Sequence, residues 1–232
     1  MKRFIQLIAL SLLFTACTSV PEQIDDKYLV DKNEKEASTI NGIEQKIINK
    51  NREKQVTENK LKETAPLPDV TQDEIKLLEK ENNLLQDQID FYKQTKDAVN
   101  LESRSRQLKE NESSIAKKTA LLNFQVAEKK MREADLELKA AELNALIAEL
   151  NYEKSKIATT YREKNNDTGD EGPSNPVTRF FVKKDPDDKY GYKKYAEYFK
   201  KQQEELFNAE KKFKDAEKLY QDAKEKLQAS EK

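Results

Sequence analysis

The sequence predicts an all-α protein in which a long coiled-coil helix leads into an antiparallel helical hairpin, together forming an extended rod. Three observations support this. Charged residues make up 38% of the 232 and the hydrophobic set only 36%, with a mean hydropathy of -0.99, too little apolar material for a thick core. Gly and Pro number only 4 and 6, and neither occurs between Pro68 and Gly169. Apolar residues recur at alternating steps of three and four, which separates packed helices from the disorder that such polarity otherwise favours.

The same composition argues against several function classes. His is absent, which removes the commonest general base and metal ligand. A single Cys rules out an intrachain disulfide and a thiolate zinc site. The 43 basic and 44 acidic residues are interspersed, leaving a net charge of -1 and no basic field for nucleic acid. No Gly-rich phosphate loop is present, and Asp and Glu are too evenly spread for any pair to be informative. We therefore expect neither an enzyme nor a cofactor.

The chain opens with Met1-Lys2-Arg3, a short basic region. Phe4 to Phe14 is apolar apart from Gln6 and Ser11. That run of about 11 residues is shorter than the roughly 20 needed to span a bilayer, and it reads as the apolar core of a secretory signal covering residues 1–16. Thr15 and Ala16 supply small residues before Cys17, the sole cysteine.

Phe14-Thr15-Ala16-Cys17 resembles the lipobox cut by lipoprotein signal peptidase. The resemblance covers about the first 17 residues and implies that Cys17 becomes the diacylated first residue. Phe14 stands where Leu is usual, a departure similar to the relaxed lipoboxes of spirochaetes. Two or three acyl chains hold where one exchanges, because each buried methylene contributes about 0.8 kcal/mol. The implied location is the bacterial cell envelope, lipid-anchored to a membrane. Inner or outer membrane, and periplasm or surface, stay open, as does an ordinary signal peptide with an incidental Cys.

Residues 17–37 are polar and aperiodic and predict a flexible tether. Ile40, Ile43, Ile47 and Val56, with Ser38 or Thr39 as N-cap, predict a weak helix over 38–63, and Ala65-Pro66-Leu67-Pro68 stops it. Thr71-Gln72-Asp73-Glu74 has the form of a capping box and predicts a helix over 71–164, roughly 140 Å long. Ile75, Leu78, Asn82, Leu85, Ile89, Tyr92 and Val99 form its first stripe, Asn82 being a polar residue of the kind that fixes register. The stripe thins between Ser103 and Ser114, and a stutter or break is open anywhere in 100–118. Ala127, Met131, Ala134, Leu138, Ala141, Ala145, Ala148 and Tyr152 form the best-defined stripe. Leu136, Leu143, Leu150 and Ile157 lie on a neighbouring face, so this helix needs more than one neighbour.

Gly, Pro, Asn and Asp mark residues 165–191 as a loop. The final helix, 192–230, alternates large Phe199, Leu206, Phe213, Tyr220 and Leu227 with small Ala209, Ala216 and Ala223, a pattern that lets two helices interdigitate. Matching stripes on either side of the loop predict an antiparallel hairpin; two helices that each join other subunits are the alternative. Residues 71–118 then need a partner, either residues 40–61 or a second copy, which leaves homo-oligomerisation open.

The hairpin tip is the most distinctive stretch. Arg179, Phe180, Phe181, Lys183, Lys184, Tyr190 and Tyr192 place aromatic rings beside cations, a combination suited to docking on a protein, an anionic polymer or a bilayer interface. The plainer reading packs the rings on the helix ends. Asp185-Pro186-Asp187-Asp188 reads as a helix start rather than a metal loop. The C-terminal Lys232 is similar to the wall-attached Lys of Braun-type lipoproteins, which makes peptidoglycan a further candidate partner. These features predict an envelope lipoprotein with a structural, scaffolding or protein-interaction role. The alternatives are a holdase, since the paired helices resemble Skp-like periplasmic chaperones, and a surface lipoprotein that binds host molecules.

Overall fold

The structure, a computed structural model, describes residues 20–165 and 191–230. The signal segment 1–16, Cys17, the tip residues Arg179 to Tyr190 and Lys232 lie outside the described residues. Among the described residues there are helices and no strands. A 3-10 turn, Asp26–Leu29, precedes α1 (Glu34–Thr64), α2 (Leu67–Thr95), α3 (Ala98–Lys164) and α4 (Lys193–Ser230). The protein is all-α, as the sequence predicts.

The expected tether is corrected over its described part. Ile24, Tyr28 and Leu29 are buried, and α1 begins at Glu34 rather than at Ser38 or Thr39. The physical reason is a reciprocal cap: the Asn33 amide donates to Glu36 Oε2 at 2.8 Å, and the Glu36 amide donates to Asn33 Oδ1 at 2.9 Å. The prolines end α1 as expected, but α2 starts at Leu67, before Thr71. Pro at the first helical turn lacks only a donor that has no partner there. Thr71 is instead a buried residue within the helix.

The expected uninterrupted helix over 71–164 is corrected as well. It breaks at Lys96, which has φ 58 and ψ 28 and caps α2 with its amide directed to Lys93 and Tyr92 carbonyls. Asp97 then starts α3, accepting from the Asn100 amide at 3.2 Å and from Asn100 Nδ2 at 2.7 Å. Residues 100–118, where a break was open, stay helical.

The chain divides into two compact units, Met1–Glu44 with Leu146–Gln202, and Gln45–Ala145 with Gln203–Lys232. In the second unit α1 lies antiparallel to α3. The Thr57 hydroxyl donates to Asp135 Oδ2 at 3.2 Å, Lys50 pairs with Glu142 at 3.0 Å and Lys139 with Glu53 at 3.6 Å, so numbers rise on one helix as they fall on the other. α2 folds back on α3 in the same sense, with Lys118 to Glu74 at 2.7 Å. α4 lies antiparallel to α3 as well, with Lys212 to Glu137 at 3.2 Å and the Phe124 and Tyr220 rings 5.3 Å apart. Residues 40–61 thus pack on the later part of α3, and residues 71–95 on its first part. The broad apolar side of α3 is explained by these neighbours.

The periodic stripe of α4 turns inward throughout: Tyr195, Gln202 and Ala209 are buried, and Phe199, Leu206, Phe213, Ala216, Tyr220, Ala223 and Leu227 are half-buried. Four charged residues clasp α1 to α3, with Lys50 also on Glu53 (2.6 Å) and Lys139 also on Glu142 (3.3 Å). Burial works against the Lys50 charge, yet the hydrogen bonds it donates to Glu53 and Glu142 hold its ammonium pKa above the usual lysine value.

Candidate functional site

The first unit holds a cluster of buried residues drawn from four segments of the chain. Asp25 begins it as the cap of the 3-10 turn, its carboxylate accepting from the Lys27 amide at 3.0 Å. The turn delivers Tyr28 and Leu29 into a core with Ile24, Ile40 of α1, Ile157 and Ala158 of α3 and Tyr195 of α4. Leu150, Tyr152, Tyr161 and Tyr192 pack against its edge. Residues 20–33 therefore form a strap across the paired helices. Ala148 and Ala158 have 0% exposure; a small side chain at each allows the neighbouring chain to approach closely.

Arg162 is the polar centre of this knot. It is only 9% exposed. Its guanidinium lies 4.3 Å from the Tyr28 ring centroid and 5.5 Å from that of Tyr192. A desolvated cation over a ring face contributes about 2 kcal/mol. Tyr28 also meets Tyr161 edge-on, with centroids 5.9 Å apart and planes at 68°. Tyr152 and Phe199 stack at 5.6 Å and 18°, joining α3 to α4.

Tyr195 ties the strap down. Its hydroxyl donates to the Glu22 carbonyl at 2.7 Å, across 173 residues of sequence. Burial pushes the Tyr195 phenol up to about 12, with Tyr192 and Glu22 acting in the same direction and Arg162 opposing them. The neutral hydroxyl is the form this site holds.

Of the tip residues singled out in the sequence, Tyr192 is the one described. It is half-buried, with its ring 5.8 Å from that of Tyr195 and 5.5 Å from the Arg162 guanidinium, so it packs at the loop end of α3 and α4. The structure does not describe how Arg179, Phe180, Phe181, Lys183, Lys184 and Tyr190 relate to it. Cys17 lies three residues before Val20, where the described chain begins. Sequence reasoning missed Ile24, Tyr28, Tyr161 and Arg162. The spacing of Ile24, Tyr28 and Leu29 and the Asn33-to-Glu36 cap were signals that residues 20–33 have structure.

A second surface lies on α2. Val70, Leu77, Leu84 and Phe91 recur every seven residues and are all exposed. They occupy a different face from the buried Thr71, Ile75, Leu85 and Ile89, and line about 32 Å of helix. Among the described residues no helix is long and apolar enough to cross a membrane, and no group of three or more His, Cys, Asp or Glu is placed to hold a metal ion. A scan against protein-family models, a search of curated proteins and a search of solved structures each return no match to this chain.

Proposed function

We propose that this chain is a lipid-anchored protein of the bacterial cell envelope whose coiled-coil hairpins serve a structural or scaffolding role through contact with a protein partner. The anchor reading rests on the basic start, the short apolar run and the lipobox-like Phe14-Thr15-Ala16-Cys17. Labelled palmitate is expected to enter the wild-type protein and not Cys17→Ala, and Cys17→Ala is expected to leave the membrane fraction. A Cys17→Ala form that stays equally membrane-bound would falsify the anchor.

The exposed stripe Val70, Leu77, Leu84 and Phe91 supports the partner reading. A seven-residue apolar repeat on a helix whose other face is already packed suits an amphipathic partner helix. Leu77→Glu/Leu84→Glu is expected to abolish membrane crosslinks to that partner without lowering the melting temperature. Unchanged crosslinks would remove the stripe from the account. The same stripe favours a second reading, a holdase that covers apolar segments of unfolded clients. That reading predicts suppression of client aggregation by wild type and its loss in Leu77→Glu/Leu84→Glu.

A further inference from the structure

We propose that the bilayer headgroup surface lies directly against the first unit, held there by the docked strap. This inference rests on the acylation of Cys17 proposed above. Pro21 is buried, the Glu22 carbonyl is held by Tyr195, and Ile24, Tyr28 and Leu29 sit in the core. From residue 21 onward the chain has no slack. Four chain steps from Cys17 to Pro21 reach at most about 14 Å. Acyl chains hold the Cys17 backbone at headgroup depth, so Pro21 stays within that distance of the headgroups. An undocked segment running to Asn33 would instead allow a reach of about 55 Å. The strap also presents two branched apolar side chains to solvent, Val20 at 63% exposure and Val30 at 73%. Val20, next to Pro21, lies close enough to the interface to gain by leaving water. The lipid therefore positions the protein as well as retaining it.

The test uses full-length acylated protein in vesicles of phosphatidylethanolamine and phosphatidylglycerol. Cys17 is the sole cysteine and is consumed by acylation, so Thr160→Cys, exposed on α3 in the first unit, takes a single donor dye. Acceptor-labelled headgroups report its distance from the membrane. A Gly-Ser insertion after Ser19 lengthens the leash and leaves the packed strap intact; about 30 residues add a root-mean-square reach of about 30 Å. Energy transfer is expected to be high in the parent and to fall by more than half in the insertion variant, with both floating with the vesicles. Equal transfer in two floating proteins overturns the proposal and leaves the anchor standing. Failure of the parent to float overturns the anchor and the proposal together. As a second measurement, slow hydrogen exchange at the amides of Tyr28 and Leu29 is expected on the vesicles, and rapid exchange there would overturn the docked strap.

Discussion

In the first unit the helices and the strap are joined by rings and a buried cation: Tyr28 on Tyr161, Tyr152 on Phe199, and Arg162 beneath Tyr28. In the second unit α1 is joined to α3 by Lys50, Glu53, Lys139 and Glu142, all at least partly open to water. The contrast follows from what each has to close. The strap is short and irregular, with few helical carbonyls and amides paired internally, so it needs large side chains and long-range hydrogen bonds to order it. The helices of the second unit already satisfy their own backbones, and the charges serve mainly to set register. The first closure is expected to resist salt, and the second to weaken with it.

The largest expected effect comes from breaking the ring knot. Tyr28→Ala removes a buried ring together with its contacts to Tyr161 and Arg162, and is expected to cost about 3 kcal/mol or more, read by denaturant unfolding and by rapid exchange of the strap amides. A loss below 1 kcal/mol would mean that the strap is held elsewhere. Ala158→Leu, at a position with no exposure, is expected to cost about 1–3 kcal/mol by overpacking the seat of the strap. A neutral result would show a void beside Ala158.

Titration sharpens the comparison further. The folded pKa of Tyr195 lies above its ordinary 10.0, so the native state holds this proton more tightly than the unfolded chain. Its contribution is present below pH 10 and is lost as pH rises from 10 toward about 12. Strap amides should lose protection over that window, and Tyr195→Phe should lack that component. An identical pH profile in the variant would remove Tyr195 as its source.

The smallest effect is expected in the second unit. Lys139→Ala opens one side of the four-residue clasp and is expected to cost at most about 1 kcal/mol, because its partners are solvated. That cost should vanish in molar salt, measured by denaturant unfolding at two salt concentrations. A cost that persists unchanged would show that the lysine stem, not its charge, packs α1 on α3.

The corrected elements show where sequence was and was not informative. The stripe from Tyr195 to Leu227 and the one through Leu138, Ala145 and Ala148 were legible because helical periodicity is written into adjacent turns. The α2–α3 corner was not, because Lys96 carries no Gly or Pro signal. A left-handed Lys costs roughly 1–2 kcal/mol locally, set against the caps at Lys96 and Asp97 and the packing of α2 on α3. The packing of the strap has no local signature, because Tyr161, Arg162 and Tyr195, its partners, lie more than a hundred residues downstream.

By itself the sequence determined that the chain is helical and that α3 and α4 carry matching apolar faces. These are local properties of spacing and residue type. Tertiary structure decided which face of α3 each neighbour takes, where the chain turns at Lys96, and that residues 20–33 are packed. Each of those outcomes depends on burial against distant residues, and no window of neighbouring sequence contains both sides of such a contact.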